Sequence, residues 1–144
     1  LASRHNTYIE EKIARGGVRF CCRGLDDDSN VGNFVETELI ITHENMLYSL
    51  VQVRGSIPLF WTQWQNGLQA VIDIKRSEEM TSHVFKGHLE DMLQDYKKVI
   101  MINLVRKSKK EEDGLTLSLV KLLHLQKENE TLRQNIRHIW YDFH

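Results

Sequence analysis

The 144-residue sequence predicts an α/β fold in which an antiparallel β-meander leads into βαβ crossovers. Three observations carry that prediction. The first third alternates β-branched runs with turn residues, the middle holds a long stretch at helical spacing, and short apolar runs then alternate with further helical spacing. The length suits one modest domain or part of one.

Residues 18–22, 34–41 and 47–54 read as strands, rich in β-branched side chains. The separator Asp26-Asp27-Asp28-Ser29-Asn30 favours a turn because its side chains bond their own backbone; His43-Glu44-Asn45 is short enough for a hairpin. Pro58, which has no N–H to donate, ends the third strand after Arg54-Gly55-Ser56-Ile57. Phe60, Trp61 and Trp64 follow as an aromatic cluster, read as core.

From Ser77 onward Met80, Val84, His88, Met92 and Tyr96 recur four apart, with Phe85, Leu89 and Leu93 beside them. That spacing predicts an amphipathic helix, with Ser77 as N-cap and Glu78 and Glu79 complementing the dipole in the first turn. Gly87 is the residue that weakens it. The apolar run 99–105 reads as a parallel strand covered on both faces, residues 106–113 as a solvated loop, and 115–132 as a second helix through Leu119, Leu122, Leu123 and Leu125. Residues 136–143 close the chain as a strand, which makes the last elements a βαβ crossover.

A net charge of -1, 41% hydrophobic residues and 27% charged residues describe an ordinary globular chain. That balance argues against a dedicated nucleic-acid binder, which concentrates Lys and Arg to displace counterions. No apolar run approaches the roughly 20 residues a membrane helix needs. Cys21 and Cys22 are adjacent and, on an extended chain, point to opposite faces, so they are expected as reduced thiols with no disulfide between them. His83 and His88 are five apart, off a common helix face, and no ligand set completes a metal site; neither metal nor cofactor is expected. The absence of an initiator Met suggests a fragment.

Several segments resemble one family. Gly17-Val18-Arg19-Phe20, Arg23-Gly24-Leu25-Asp26-Asp27 and Asn30-Val31-Gly32-Asn33-Phe34-Val35-Glu36-Thr37-Glu38 are similar to the start of the catalytic part of Sac-domain phosphoinositide phosphatases, which include the synaptojanins. Ser49 to Trp61 resembles the family's R-G-S-[IV]-P segment, Tyr96 to Val105 its N-L-V strand, and Tyr141-Asp142-Phe143-His144 its [FY]-D-F-H element. Gly32 stands where Ala is usual, Leu39 where Gln is usual, and residues 6–14 look inserted. On this resemblance residues 1–144 are a partial Sac domain, the N-terminal part of its catalytic region, truncated at both ends.

The resemblance implies hydrolysis of phosphate monoesters on inositol lipids through a phosphocysteine, formed by a Cys-x5-Arg loop at a helix N-terminus. The residues six after Cys21 and Cys22 are Asp27 and Asp28, so neither cysteine opens such a loop and no catalytic residue is assigned. The fragment alone is therefore expected to be inactive. Its parent is expected to meet phosphoinositide headgroups at the cytosolic face of endomembranes, by peripheral contact.

Candidate substrate-binding residues are Arg23 and Arg54, as cations for an anionic headgroup; Asn33, Glu36 and Glu38, read at strand spacing on one face; and Asp142 and His144, at the C-terminal end of the last strand, where α/β sheets place ligands. The basic residues Arg106, Lys107, Lys109 and Lys110 are followed by Glu111, Glu112 and Asp113, which cancel much of their field. Two other readings stand beside the enzyme: a non-catalytic Sac-like module binding lipid or protein, and a structural segment docking through the Leu115 to Leu125 face, on Leu119 and Leu122.

Overall fold

A computed structural model describes residues 23–66, 69–105 and 110–141. The expected strand 18–22, both cysteines, and the candidates Asp142 and His144 lie outside the described residues. Within them the chain runs β1 (Val35–His43), β2 (Met46–Arg54), β3 (Trp61–Asn66), β4 (Gln69–Ile74), α1 (Glu78–Tyr96), β5 (Val99–Asn103), α2 (Lys110–Leu125), a 3₁₀ turn (Gln126–Glu128), α3 (Glu130–Asn135) and β6 (Ile136–Trp140). The class is α/β, as predicted. Its strands form three two-stranded sheets: antiparallel β1-β2, antiparallel β3-β4 and parallel β5-β6.

The β1-β2 ribbon pairs Val35 with Arg54 through to His43 with Met46. It stands almost wholly in solvent, with Leu39, Ile41, Met46, Tyr48 and Leu50 along one face and Ile40, Leu47 and Val51 along the other. The β3-β4 hairpin is an element that the sequence reading missed. Its signal was Gly67, the first of the two residues between Asn66 and its strand partner Gln69. Because residues 61 and 64 differ in parity on a strand, Trp61 is buried while Trp64 points outward, 56% exposed, contrary to the core reading of both.

Helix α1 starts as predicted: Ser77 is extended at the cap, and its hydroxyl accepts from the Met80 amide at 3.4 Å. Its buried stripe is Thr81, Phe85 and Leu89, one position from the Met80 stripe expected, and Met80 is exposed. Of the loop expected over 106–113, residues 110–113 belong to α2, which begins at Lys110, and 106–109 lie outside the described residues. The single helix expected over 115–132 is broken. Asn129 is extended and caps α3 by accepting from the Leu132 amide at 3.3 Å, which terminates the preceding helical path.

The core gathers Phe85 and Leu89 from α1, Leu115, Leu119 and Leu122 from α2, Leu132 from α3, and Leu25, Val31, Leu59, Phe60 and Trp61 from the turns and β3. Leu119 and Leu122 are 2% and 0% exposed, so they cannot form the docking face read from the sequence; Leu117 and Val120 are on the outward side. Polar ties brace the helices. Glu78 on α1 accepts from the Ser118 hydroxyl at 2.8 Å and Lys121 Nζ at 3.2 Å, bonds that hold its carboxyl below the usual range, the Ser118 bond most of all. Gln126 Nε2 donates to the Ser82 hydroxyl at 2.9 Å and to its carbonyl at 3.3 Å.

Two glycines allow the turn before β1 to seat. Gly24 has φ +76°, and a Cβ there would overlap the Leu59 carbonyl oxygen, which accepts from the Leu25 amide at 2.7 Å. Gly87, which looked like a weak point of the helix, lies under Ser29; a Cβ would come within 2.5 Å of its hydroxyl. The turn itself is held by Asp26 Oδ1, which accepts from the amides of Asp28 at 3.0 Å and Asn30 at 2.9 Å. It docks on α1 where His88 Nδ1–H donates to the Ser29 carbonyl at 3.1 Å. It is tied a second time by Arg76, whose guanidinium pairs Asp27 at 2.5 and 3.2 Å while lying 3.7 Å over the Phe60 ring.

Replacing Gly24 by Ala forces either the left-handed backbone or the Leu59 contact to yield, and is expected to lower unfolding stability by a few kcal/mol, on the order of 2 or more. Chemical denaturation measures it, and an unchanged midpoint would refute the close approach. A second expectation concerns pH. Burial pushes the His88 pKa below 6.5, so below that value the unfolded chain binds more protons and stability falls with falling pH until the folded pKa is passed. Burial lowers His138 in the same direction. The denaturation midpoint of His88→Asn, which keeps a donor at the Nδ1 position and does not titrate, should therefore depend less on pH than wild type between 7.5 and the lowered value; an equal slope would exclude His88 as a source.

Candidate functional site

Three motif segments converge at the base of the β1-β2 ribbon. The Gly24 amide donates to the Ser56 hydroxyl at 2.8 Å, the Gly32 amide to the Gly24 carbonyl at 2.8 Å, and the Ser56 amide to the Gly32 carbonyl at 2.8 Å. The two Arg-Gly dipeptides, 23–24 and 54–55, are thereby brought side by side along the backbone. Arg23 lies 5.7 Å over the Trp61 ring, and the Trp61 indole N–H is fixed by donating to the Ile57 carbonyl at 3.1 Å. A guanidinium held over a ring still has its N–H edge for an anion. Arg54 ends β2 opposite Val35 and is exposed. Ser56, which links the two dipeptides, was not singled out from the sequence, although its place in R-G-S offered the signal.

The remaining candidates on the ribbon do not form one face. Asn33 precedes β1 with φ +58°, a left-handed turn residue, so it does not share the strand alternation of Glu36 and Glu38. Glu36 and Glu38 do share a face, and the structure places protein partners on both. The Tyr96 hydroxyl, at the end of α1, donates to Glu36, and the Ser49 hydroxyl donates to Glu38 at 2.5 Å. Antiparallel register puts Arg54 on the other face, beside Val35.

A second cluster sits at the C-terminal ends of β5 and β6. The Asn103 side chain is buried; its Nδ2 donates to the Thr116 hydroxyl at 3.2 Å and its Oδ1 accepts from the Val105 amide at 3.0 Å. The Tyr141 amide donates to the Asn103 carbonyl at 2.9 Å, and the Trp140 indole to the Val105 carbonyl at 2.9 Å. Thus the N-L-V segment and the chain leading into Asp142 and His144 are bonded together at the strand edge where α/β sheets take ligands. Sequence reasoning missed Asn103 as the organising residue. A polar residue inside an apolar strand run was the available signal.

Among the described residues no group of three or more His, Cys, Asp and Glu side chains is placed to hold a metal ion, and no helix is long and apolar enough to cross a membrane. A further depression, on the outer face of β3-β4, is lined by Thr62, Trp64, Asp73 and Lys75 and includes none of the candidates.

The model of the SacI homology domain matches residues 8–144. Among curated proteins the chain is 37% identical to the polyphosphatidylinositol phosphatase INP53 of Saccharomyces cerevisiae over 130 residues, covering 90% of this chain and 12% of that protein. It is 42% identical to human phosphatidylinositide phosphatase SAC2 over 98 residues, 68% of this chain and 9% of that protein. With rat synaptojanin-1 the identity is 35% over 133 residues, 90% of this chain and 8% of that protein. The chain therefore spans about a tenth of the length of these relatives. A match of this extent, in which the motif segments are also the ones joined by backbone hydrogen bonds at the ribbon base and the β5-β6 edge, means that the chain belongs to the SacI homology domain family.

Proposed function

We propose that this chain is the substrate-side scaffold of a phosphoinositide phosphatase, and that its parent hydrolyses phosphate monoesters of phosphatidylinositol phosphates at the cytosolic face of endomembranes. The observation that carries this reading is the family match over residues 8–144, together with relatives named as phosphoinositide phosphatases. In this reading residues 1–144 are part of a larger Sac catalytic domain. The nucleophile belongs to a Cys-x5-Arg loop elsewhere in the parent, since neither Cys21 nor Cys22 has Arg six residues on.

The chemistry asks for a thiolate stabilised by backbone N–H groups at a helix N-terminus. The sulfur attacks phosphorus, the inositol oxygen leaves with a proton, and water then hydrolyses the phosphocysteine to free phosphate. A guanidinium grips the phosphoryl oxygens as charge shifts onto them. For this chain we assign Arg23 and Arg54 to headgroup phosphates beyond the reacting one, and Asp142 and His144 to the substrate edge that Asn103 organises. Glu36 and Glu38 we assign to bracing the ribbon, because Tyr96 and Ser49 already bond one oxygen of each, and Asn33 to the turn that leads into it.

A second reading is a non-catalytic module of the same family that binds lipid or protein. Phosphate-release assays distinguish the two. The 144-residue chain is expected to release no phosphate from phosphatidylinositol phosphates, whereas the parent releases it; turnover by the chain alone would contradict the scaffold assignment, and no turnover by the parent would favour the binding module. In an active parent, Arg23→Ala and Arg54→Ala should each raise KM about tenfold, as expected for loss of a charge-assisted bond of ~1.5 kcal/mol, while Arg133→Ala, whose guanidinium is engaged by Glu130, should not. Unchanged KM in both would remove the arginines from the site.

A further inference from the structure

Asn103 places a polar side chain on the covered face of β5. Met101 and Asn103 turn inward on that strand, Met101 packing on the core, while Ile100 and Ile102 stand in solvent at 63% and 57% exposure. Within the described residues the run 99–105 is therefore covered on one face only, not on both as expected. Burial alone would choose the reverse pattern, since an amide costs free energy inside a protein unless the bonds it loses to water are replaced. Asn103 is nonetheless 5% exposed, and its partner Thr116 on α2 is 1% exposed.

The bonds that replace water all act at the edge of the sheet. Oδ1 accepts from the Val105 amide at 3.0 Å, closing an Asx turn that sets the direction in which the chain leaves β5. Nδ2 donates to the Thr116 hydroxyl at 3.2 Å, so the amide is oriented from the helical layer beneath it. The Val105 carbonyl held by this turn accepts from the Trp140 indole at 2.9 Å, and the Asn103 carbonyl accepts from the Tyr141 amide at 2.9 Å. One side chain anchored on α2 thus fixes how two chains leave the C-terminal edge of the parallel pair.

We propose that Asn103 is a positioning residue for the phosphatase reaction: it holds the edge that leads into Asp142 and His144 in the geometry of the transition state, and so sets turnover rather than substrate affinity. The inference rests on the phosphatase reading given above. Affinity falls to Arg23 and Arg54, whose segments are fixed through Ser56, Gly32 and Trp61, a set that shares no member with the Asn103 bonds. Loss of Asn103 therefore leaves ground-state binding in place. Its effect is on alignment, where a displacement of about 1 Å costs on the order of 100-fold in rate.

Steady-state phosphate release by the parent protein tests this, with a phosphatidylinositol phosphate in mixed micelles as substrate. Asn103→Ala is expected to lower kcat about tenfold or more while KM stays within about twofold. Thr116→Val, which removes the hydroxyl that orients the amide, should lower kcat by less, and Thr116→Ser, which keeps it, should retain the wild-type value. In Asn103→Ala the Thr116→Val change should have no further effect on kcat, because Thr116 acts through Asn103. Gln126→Ala, which breaks the buried tie to Ser82 in the same helical layer, is the control and should lower the denaturation midpoint without changing kcat. A wild-type kcat in Asn103→Ala, a loss confined to KM, or an equal loss in Gln126→Ala overturns the inference and leaves the phosphatase reading standing. A parent that releases no phosphate overturns both. If Asn103→Ala does not fold, the Thr116 pair decides, and a wild-type kcat in Thr116→Val overturns the inference.

Discussion

The close approach of Gly24 to Leu59 is the constraint on which the rest of the architecture depends. Only a residue without a Cβ can take φ +76° against that carbonyl, and only then do the Leu25 amide, the Ser56 hydroxyl and the Gly32 amide find their partners together. Leu25 and Val31 pair across the turn and enter the core beside Leu59, Phe60 and Trp61. The ribbon, the hairpin and the helical layer are thus joined at one crowded backbone junction.

Around that junction most of the charged groups that looked available for a ligand are already engaged. Asp27 is held below the ordinary carboxylate range by the Arg76 guanidinium, Glu78 is bonded across the helix pair, and Glu36 and Glu38 accept from Tyr96 and Ser49. Such exposed ties are individually weak and act mainly to orient the elements they join. Arg76 illustrates the difference between a structural and a recognition cation: it has both an aromatic face and a bidentate carboxylate, whereas Arg23 has an aromatic face alone among its described contacts.

Incomplete burial is the second theme. The β1-β2 ribbon carries apolar side chains on both faces in solvent, and β5-β6 carries them on one. Each pattern leaves apolar surface and unpaired strand edges in solvent. A family whose members run roughly ten times the length of this chain is consistent with surfaces of that kind. The compact part is the helical layer over β3-β4 and the inner face of β5-β6, where Phe85, Leu89, Leu115, Leu119 and Leu122 are each no more than 2% exposed.

Local chemistry made a good part of this legible in the sequence. Period-two runs marked β1 and β2 to within two residues, Ser77 marked the start of α1, and ordered motif segments carried the family, because strand alternation, capping and motif spacing are properties of neighbouring residues. What depended on distant residues was not readable. Gly87 looked like a flaw until Ser29 was placed against it, and Leu119 and Leu122 looked like a docking face until α1 covered them. Likewise Asn33 looked like a third member of the Glu36 and Glu38 face until its left-handed turn was seen. The sequence by itself determined the class, the places of β1, β2, α1, β5 and β6, and the family; only the tertiary structure decided which faces are covered and which charges are already paired, because burial and pairing are made by residues far apart along the chain.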